Sequence, residues 1–136
     1  MLRTIGENFA ADMSIDKSRL DEECEAHSSI YAYYSKELAQ AKEDLLRATY
    51  RYEKHKRGKE LEVRKNFPST MKFSERAVDM LVTEDELVEE FYEKVVECQV
   101  RANNADQAIF ALLHRKAELD NLTTLYKKDY YSSLSR

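Results

Sequence analysis

The sequence predicts an all-α fold, in which two long heptad-patterned helices, about 17–65 and 84–131, are joined by a short helix and turn. They are expected to form an antiparallel coiled-coil hairpin that assembles into a helical oligomer. Three observations carry that expectation. With 2 Gly and 1 Pro in 136 residues, the chain has almost no punctuation for strands and turns. Charged residues make up 35% and are mostly the Glu, Lys and Arg that long helices favour. Two apolar stripes also recur in alternating steps of three and four, as in a helix packed along another helix.

The elements follow in chain order. Residues 1–15 show no sustained period and read as a mobile lead-in, with a helical turn near Phe9 to Met13. Ser14 or Asp16 is placed to cap the first long helix, because a short side-chain oxygen satisfies free N–H groups of the first turn. The first stripe runs Leu20, Cys24, His27, Tyr31, Tyr34, Leu38, Ala41, Leu45, Ala48 and Tyr52, interrupted in its apolar character only by His27. Beyond Tyr52 the register passes through His55, Lys59 and Glu62, so the apolar seam stops while helix-forming residues continue to about Lys65. Gly58 sits there and costs roughly 1 kcal/mol relative to Ala in a helix, which predicts a weakly held end.

Residues 66–72, which begin Asn66-Phe67-Pro68-Ser69-Thr70, form the connecting turn. A short helix from Phe73 to about Val82 would present Phe73, Ala77, Met80 and Leu81, and Thr83 with Glu86 supplies a capping box for the next helix. The second stripe is Val88, Phe91, Val95, Cys98, Ala102, Ala105, Ile109, Leu112, Lys116, Leu119, Thr123, Tyr126 and Tyr130. Each long helix would span about 70 Å at a rise of 1.5 Å per residue. Matched lengths and one short connection predict antiparallel pairing within a single helical domain, 1–136. Tyr92, Val96, Leu113 and Leu122 widen the second stripe, so further partners, including copies of the chain itself, are expected.

Several function classes drop out. No segment approaches the roughly 18–20 consecutive apolar residues of a membrane span, and the opening MLRTIGENFAADMSID turns acidic early, unlike a secretory signal. Cys24 and Cys98 fit neither a disulfide framework nor a zinc spacing and read as small seam residues of a protein from a reducing cytoplasm. The 3 histidines, His27, His55 and His114, lie far apart and form no Glu-x-x-His or His-Glu-x-x-His arrangement. With Gly6 and Gly58 the only glycines, there is no phosphate loop. The chain therefore reads as non-catalytic, with no cofactor and no metal. In the run Ile30-Tyr31-Ala32-Tyr33-Tyr34, the tyrosines on the seam are expected to pack, leaving Tyr33 off it.

The net charge of −4 conceals a segregation. Residues 1–46 carry net −5, residues 47–76 net +6, residues 77–114 net −7, and the remainder +2. The basic stretch holds Arg47, Arg51, Lys54, Lys56, Arg57, Lys59, Arg64, Lys65, Lys72 and Arg76, interleaved with Tyr50, Tyr52, Phe67 and Phe73. Cations neutralise phosphates and release counterions, while aromatic faces stack unpaired bases. The bland reading is a charged helix surface complementary to the acidic arms of neighbouring subunits. In an oligomer such stretches would combine, so that avidity multiplies a weak affinity.

Residues 12–65 resemble the phage recombination mediator proteins of the UvsY family. Ile15-Asp16-Lys17-Ser18-Arg19-Leu20 is similar to the Ile-Asp-x-x-x-Leu opening of that family's first long helix. Ile30-Tyr31 through Ala41-Lys42-Glu43-Asp44-Leu45-Leu46-Arg47 is similar in pattern and spacing. In the family the helix ends on a Lys/Arg pair two residues apart that contacts single-stranded DNA, and Arg57 and Lys59 fall at that place. The family often continues Tyr-Tyr-(Ser/Thr)-Gly, whereas this chain reads Glu62-Val63-Arg64-Lys65-Asn66-Phe67-Pro68, with Phe67 the nearest aromatic.

The resemblance implies a homo-oligomer that binds single-stranded DNA and helps a strand-exchange recombinase replace single-strand-binding protein in phage recombination and repair. The place of action would be the cytoplasm of an infected cell. The expected phosphate contacts are Arg51, Lys54, Lys56, Arg57, Lys59, Arg64 and Lys65, with Tyr50, Tyr52 and Phe67 as base-stacking candidates. The acidic arms would face protein partners. The alternative is a structural coiled-coil phage protein, an assembly chaperone or scaffold, with no nucleic-acid role.

Overall fold

A computed structural model describes the backbone of residues 4–134 and the side-chain surroundings of residues 4–129. Among these residues there is no strand. The helices are α1 (Phe9–Met13), α2 (Leu20–Lys65, entered through a 3-10 turn at Lys17–Arg19), α3 (Glu75–Thr83) and α4 (Glu86–Leu134). The two long helices pair antiparallel, and the packing divides into two compact units, 1–39 with 104–136 and 40–103.

The helix ends are set by side chains. Asn8 caps α1 by accepting from the Ala11 N–H at 3.2 Å. Asp16 opens the turn into α2, its carboxylate accepting from the Ser18 hydroxyl and N–H, which holds its pKa below the usual range. Ser74 starts α3 through the Ala77 N–H. The cap of α4 differs from the expected Thr83–Glu86 box. Asp85 accepts from the Val88 N–H at 3.0 Å, whereas the Thr83 hydroxyl donates backward to the Asp79 and Met80 carbonyls and closes α3. A carboxylate in the N-cap position also meets the positive end of the helix dipole with a full charge, which a threonine hydroxyl does not carry.

In the unit of residues 1–39 and 104–136, Cys24 faces Thr123 and His27 faces Arg115, the numbering rising on α2 as it falls on α4. Along the helix pair the buried positions are Glu23, Ile30, Ala108, Leu112, Arg115 and Leu119. The seam keeps Leu112 and Leu119 of the expected stripe and is turned by one position at its other buried residues. Glu23 and Ile30 replace Cys24 and Tyr31, which are exposed, while Ala108 and Arg115 are buried in preference to Ile109 and Lys116. A straight helix advances 3.6 residues per turn, so a strict 3.5-residue reading drifts across its surface. Tyr126 is exposed, and Tyr130 lies outside the residues whose side chains are described.

That rotated seam carries charge. Arg115 donates to the Glu23 carboxylate, and at 2.9 Å to His27 Nδ1. Because a guanidinium only donates, the neutral His27 ring carries its proton on Nε2. Burial, then the Arg115 and Lys116 charges, hold the His27 pKa below 6.5. Residues 4–15, read as a mobile lead-in, are tied down in the same unit. The Asp12 carboxylate, 1% exposed, accepts from the Gly6 N–H at 2.9 Å and from the Tyr34 hydroxyl at 2.5 Å. Burial and that carboxylate push the Tyr34 pKa up. Gly6 adopts φ +94°, and a Cβ there would meet the Tyr33 ring at 2.4 Å, so only glycine fits.

In the unit of residues 40–103, Ala41, Ala48, Cys98 and Ala102 are buried along the helix pair, as expected of seam residues. Small side chains let the two backbones approach. Arg101 bridges to Asp44 at 2.7 Å. Where the chain returns, Val78 and Val82 of α3 and Val88 of α4 form the core, against which Tyr52, Val63 and Phe67 pack. The buried face of α3 is Ala77, Val78 and Val82; Phe73 and Met80, expected on it, are exposed.

Two outcomes follow for stability. Glu23→Ala removes the carboxylate that the buried Arg115 guanidinium donates to and should cost about 3–5 kcal/mol in urea unfolding. Replacing both Glu23 and Arg115 by Leu should recover most of that loss. For His27, the unfolded ring protonates as pH falls through 6.5 while the folded ring resists. Stability should therefore be full above 6.5 and decline below it, and His27→Gln should flatten the decline between about pH 6.5 and 5.

Candidate nucleic-acid interface

The basic stretch is carried on the last turns of α2. The helix passes through Gly58 without a break and ends at Lys65. Beyond Gly58 it is held from outside. Val63 packs on the α3–α4 core, and Arg64 donates to Glu60 at 3.2 Å and to Glu75 at 2.5 Å. The Glu75 and Glu60 carboxylates raise the Arg64 pKa, and Arg64 in turn lowers that of Glu75.

Helical spacing sorts the cations by face. Arg51, Lys54, His55, Gly58, Lys59 and Glu62 are separated by steps of three, one, three, one and three, and so share one side of α2. With Phe91 of α4 they line an open groove of about 450 Å³, within the ~300–1,000 Å³ typical of ligand sites. His55 and Phe91 lie with ring centroids 5.0 Å apart and planes tilted by 36°. Nothing lies within 4 Å of where a Gly58 Cβ would stand, so the glycine leaves that part of the groove unfilled.

Asp85 anchors the same place. Besides capping α4, it meets His55 Nε2 at 3.4 Å and Lys59 Nζ at 3.5 Å. The Val88 N–H, then His55 and Lys59, hold its pKa below the usual carboxylate range. Lys59 also reaches Glu62 at 3.5 Å and is only 25% exposed on its side chain. Arg51 and Lys54 are exposed and make no ion pair among the described residues.

The other expected contacts are dispersed. Arg57 is exposed and does not line the groove; two residues apart on a helix, it and Lys59 point some 200° away from one another. Lys56 lies 5.8 Å above the Tyr52 ring, Arg64 is engaged with its two carboxylates, and Lys65 is exposed at the helix end. Of the aromatic candidates, Tyr50 is 65% exposed. Tyr52 and Phe67 are packed against the Val78–Val82–Val88 core, Tyr52 also against Tyr92 and Phe67 edge-on against Phe73.

His55, Gly58 and Phe91 belong to the groove but not to the expected set. His55 and Phe91 fall on the two heptad registers, and pairing those registers antiparallel was the signal that would have brought them together.

Among the described residues no group of three or more His, Cys, Asp or Glu is placed to hold a metal ion, and no helix is long and apolar enough to cross a membrane. No family model, curated protein or solved structure matches the chain.

Because Gly58 is helical with open space around it, Gly58→Ala should stabilise the fold by up to about 1 kcal/mol. A rise in the thermal midpoint, followed by far-ultraviolet circular dichroism, checks this.

Proposed function

We propose that the protein binds single-stranded DNA along the basic face of α2 and acts as a recombination mediator, helping a strand-exchange recombinase take the place of single-strand-binding protein. The observation that carries the binding reading is the pair Arg51 and Lys54. They are adjacent on one helix face, exposed, without an ion pair among the described residues, and beside a groove with an aromatic wall. Cations already engaged by carboxylates, such as Lys59 and Arg64, have less to gain from a phosphate. The mediator role adds the resemblance of residues 12–65 described above.

Self-association is part of the reading. Val96 and Val100 in one unit, and Phe110, Leu113 and Leu125 in the other, are large apolar side chains left exposed on α4, the kind of surface that subunit contacts cover. Several copies along one strand would add their basic faces, so that a modest affinity per subunit becomes a useful one. On the N-terminal part of α4, Glu86, Glu89, Glu90 and Glu93, beside the Lys94–Glu97 ion pair, form an acidic surface suited to a protein partner. A purely structural coiled-coil protein would share the exposed apolar residues, but its sedimentation would not respond to oligonucleotide.

Fluorescence anisotropy with a labelled single strand tests the proposal. Binding should be measurable at about 50 mM salt and weaken steeply as salt rises; absence of binding at low salt would overturn the reading. Arg51→Glu with Lys54→Glu should weaken binding at least tenfold. The slope of log K against log salt should fall by about 1.4, at about 0.7 for each phosphate that is no longer neutralised. Helicity should be unaltered.

A further inference from the structure

We propose that the groove over Gly58 receives one unstacked nucleobase of the bound strand against the His55–Phe91 ring pair, while Arg51 and Lys54 hold the adjoining phosphates. This rests on the single-strand reading above and gives that site its discrimination.

The groove has the composition such a subsite requires. Arg51 and Lys54, its cations without an ion pair among the described residues, lie at one end, and Glu62 lies at the other. Because Lys59 at that second end is already paired with Glu62 and Asp85, a phosphate is drawn more strongly to the first end, which orients the nucleotide along α2. Between the ends, Gly58 contributes no side chain and has no neighbour within 4 Å of its Cβ position. Any larger residue there would stand in the groove. The wall is the His55 and Phe91 pair, with centroids 5.0 Å apart. Both rings are half-buried and both line the groove. Asp85 meets His55 Nε2 at 3.4 Å and so restrains a ring that lines the groove before any ligand arrives.

An aromatic face accepts any base, which gives affinity without sequence preference. A base inside a duplex keeps its own stacking partners and cannot enter unless it is extruded, at a cost in pairing and stacking. The groove therefore selects single strands by geometry. The basic face alone would not, since duplex DNA is also a polyanion. Gly58 acquires a function in this account: a residue unfavourable to the helix keeps the slot open.

The test compares two labelled strands of equal length, a deoxythymidine oligomer and an abasic oligomer with the same phosphates. The protein should bind the abasic strand about tenfold more weakly, the scale of one lost base–aromatic stack. Gly58→Leu, which fills the slot, and Phe91→Leu, which keeps an apolar side chain but removes the ring, should each bring the deoxythymidine strand down to the abasic strand's affinity. Circular dichroism confirms that each variant is helical, and the two substitutions act by different means should one fail to fold. Equal binding of the two strands by the unaltered protein would overturn the base slot while leaving the single-strand reading standing. A parallel loss for both strands in the variants would also overturn it. Failure to bind either strand would overturn both readings.

Discussion

A helix that pairs with one other helix can bury only one stripe of its surface, and everything else in this protein follows from how narrow that stripe is. In the unit of residues 40–103 the seam uses Ala41, Ala48, Cys98 and Ala102, small side chains that bury little area but bring the backbones close. Apolar burial contributes about 25 cal/mol per Å², so such a seam needs reinforcement. The protein supplies it at the chain return, where Val78, Val82 and Val88 make a compact core roofed by Tyr52, Val63 and Phe67. The end of α2 is ordered because α3 is packed beneath it.

Polar side chains supply the remaining specificity. Arg115, Glu23 and His27 place a hydrogen-bonded ionic cluster in the seam of the other unit. Leu and Val would pack equally well in several registers, whereas a buried guanidinium is tolerated only where its acceptors stand. The same logic holds for Asp12, which draws the lead-in onto Tyr34. Asp85 plays two parts at once, capping α4 while holding His55 and Lys59 of α2. It thereby couples the start of one long helix to the basic face of the other.

The cations of the basic stretch are chemically alike and structurally different. Lys59 and Arg64 are held by carboxylates, Lys56 lies over Tyr52, and Arg57 stands away from the groove, which leaves Arg51 and Lys54 beside it. Charge segregation along the sequence thus marks the region of interest, and local ion pairing ranks the residues within it. Tyr52 and Phe67, attractive as base-stacking residues by composition, are half-buried and packed against the core. The ring beside the cations is Phe91, contributed by α4.

The sequence by itself determined the helical class, the two long elements, the turn between them and the basic character of the end of α2. It did so because periodicity, the scarcity of glycine and proline, and charge order are local properties, set by residues a few positions apart. It also placed the helical turn at Phe9–Met13 and offered Ser14 or Asp16 as the cap, of which the structure uses Asp16, again from near neighbours. Tertiary structure decided the rest. Whether Tyr31 or Ile30 enters the seam, whether Thr83 or Asp85 caps α4, and which cations find carboxylates all depend on residues distant in sequence, whose register is fixed only when the helices pack. The groove at Gly58 is the clearest instance. Its cations and its glycine were legible on α2, but the ring that completes it stands far along the chain, at Phe91, and is brought there by antiparallel pairing.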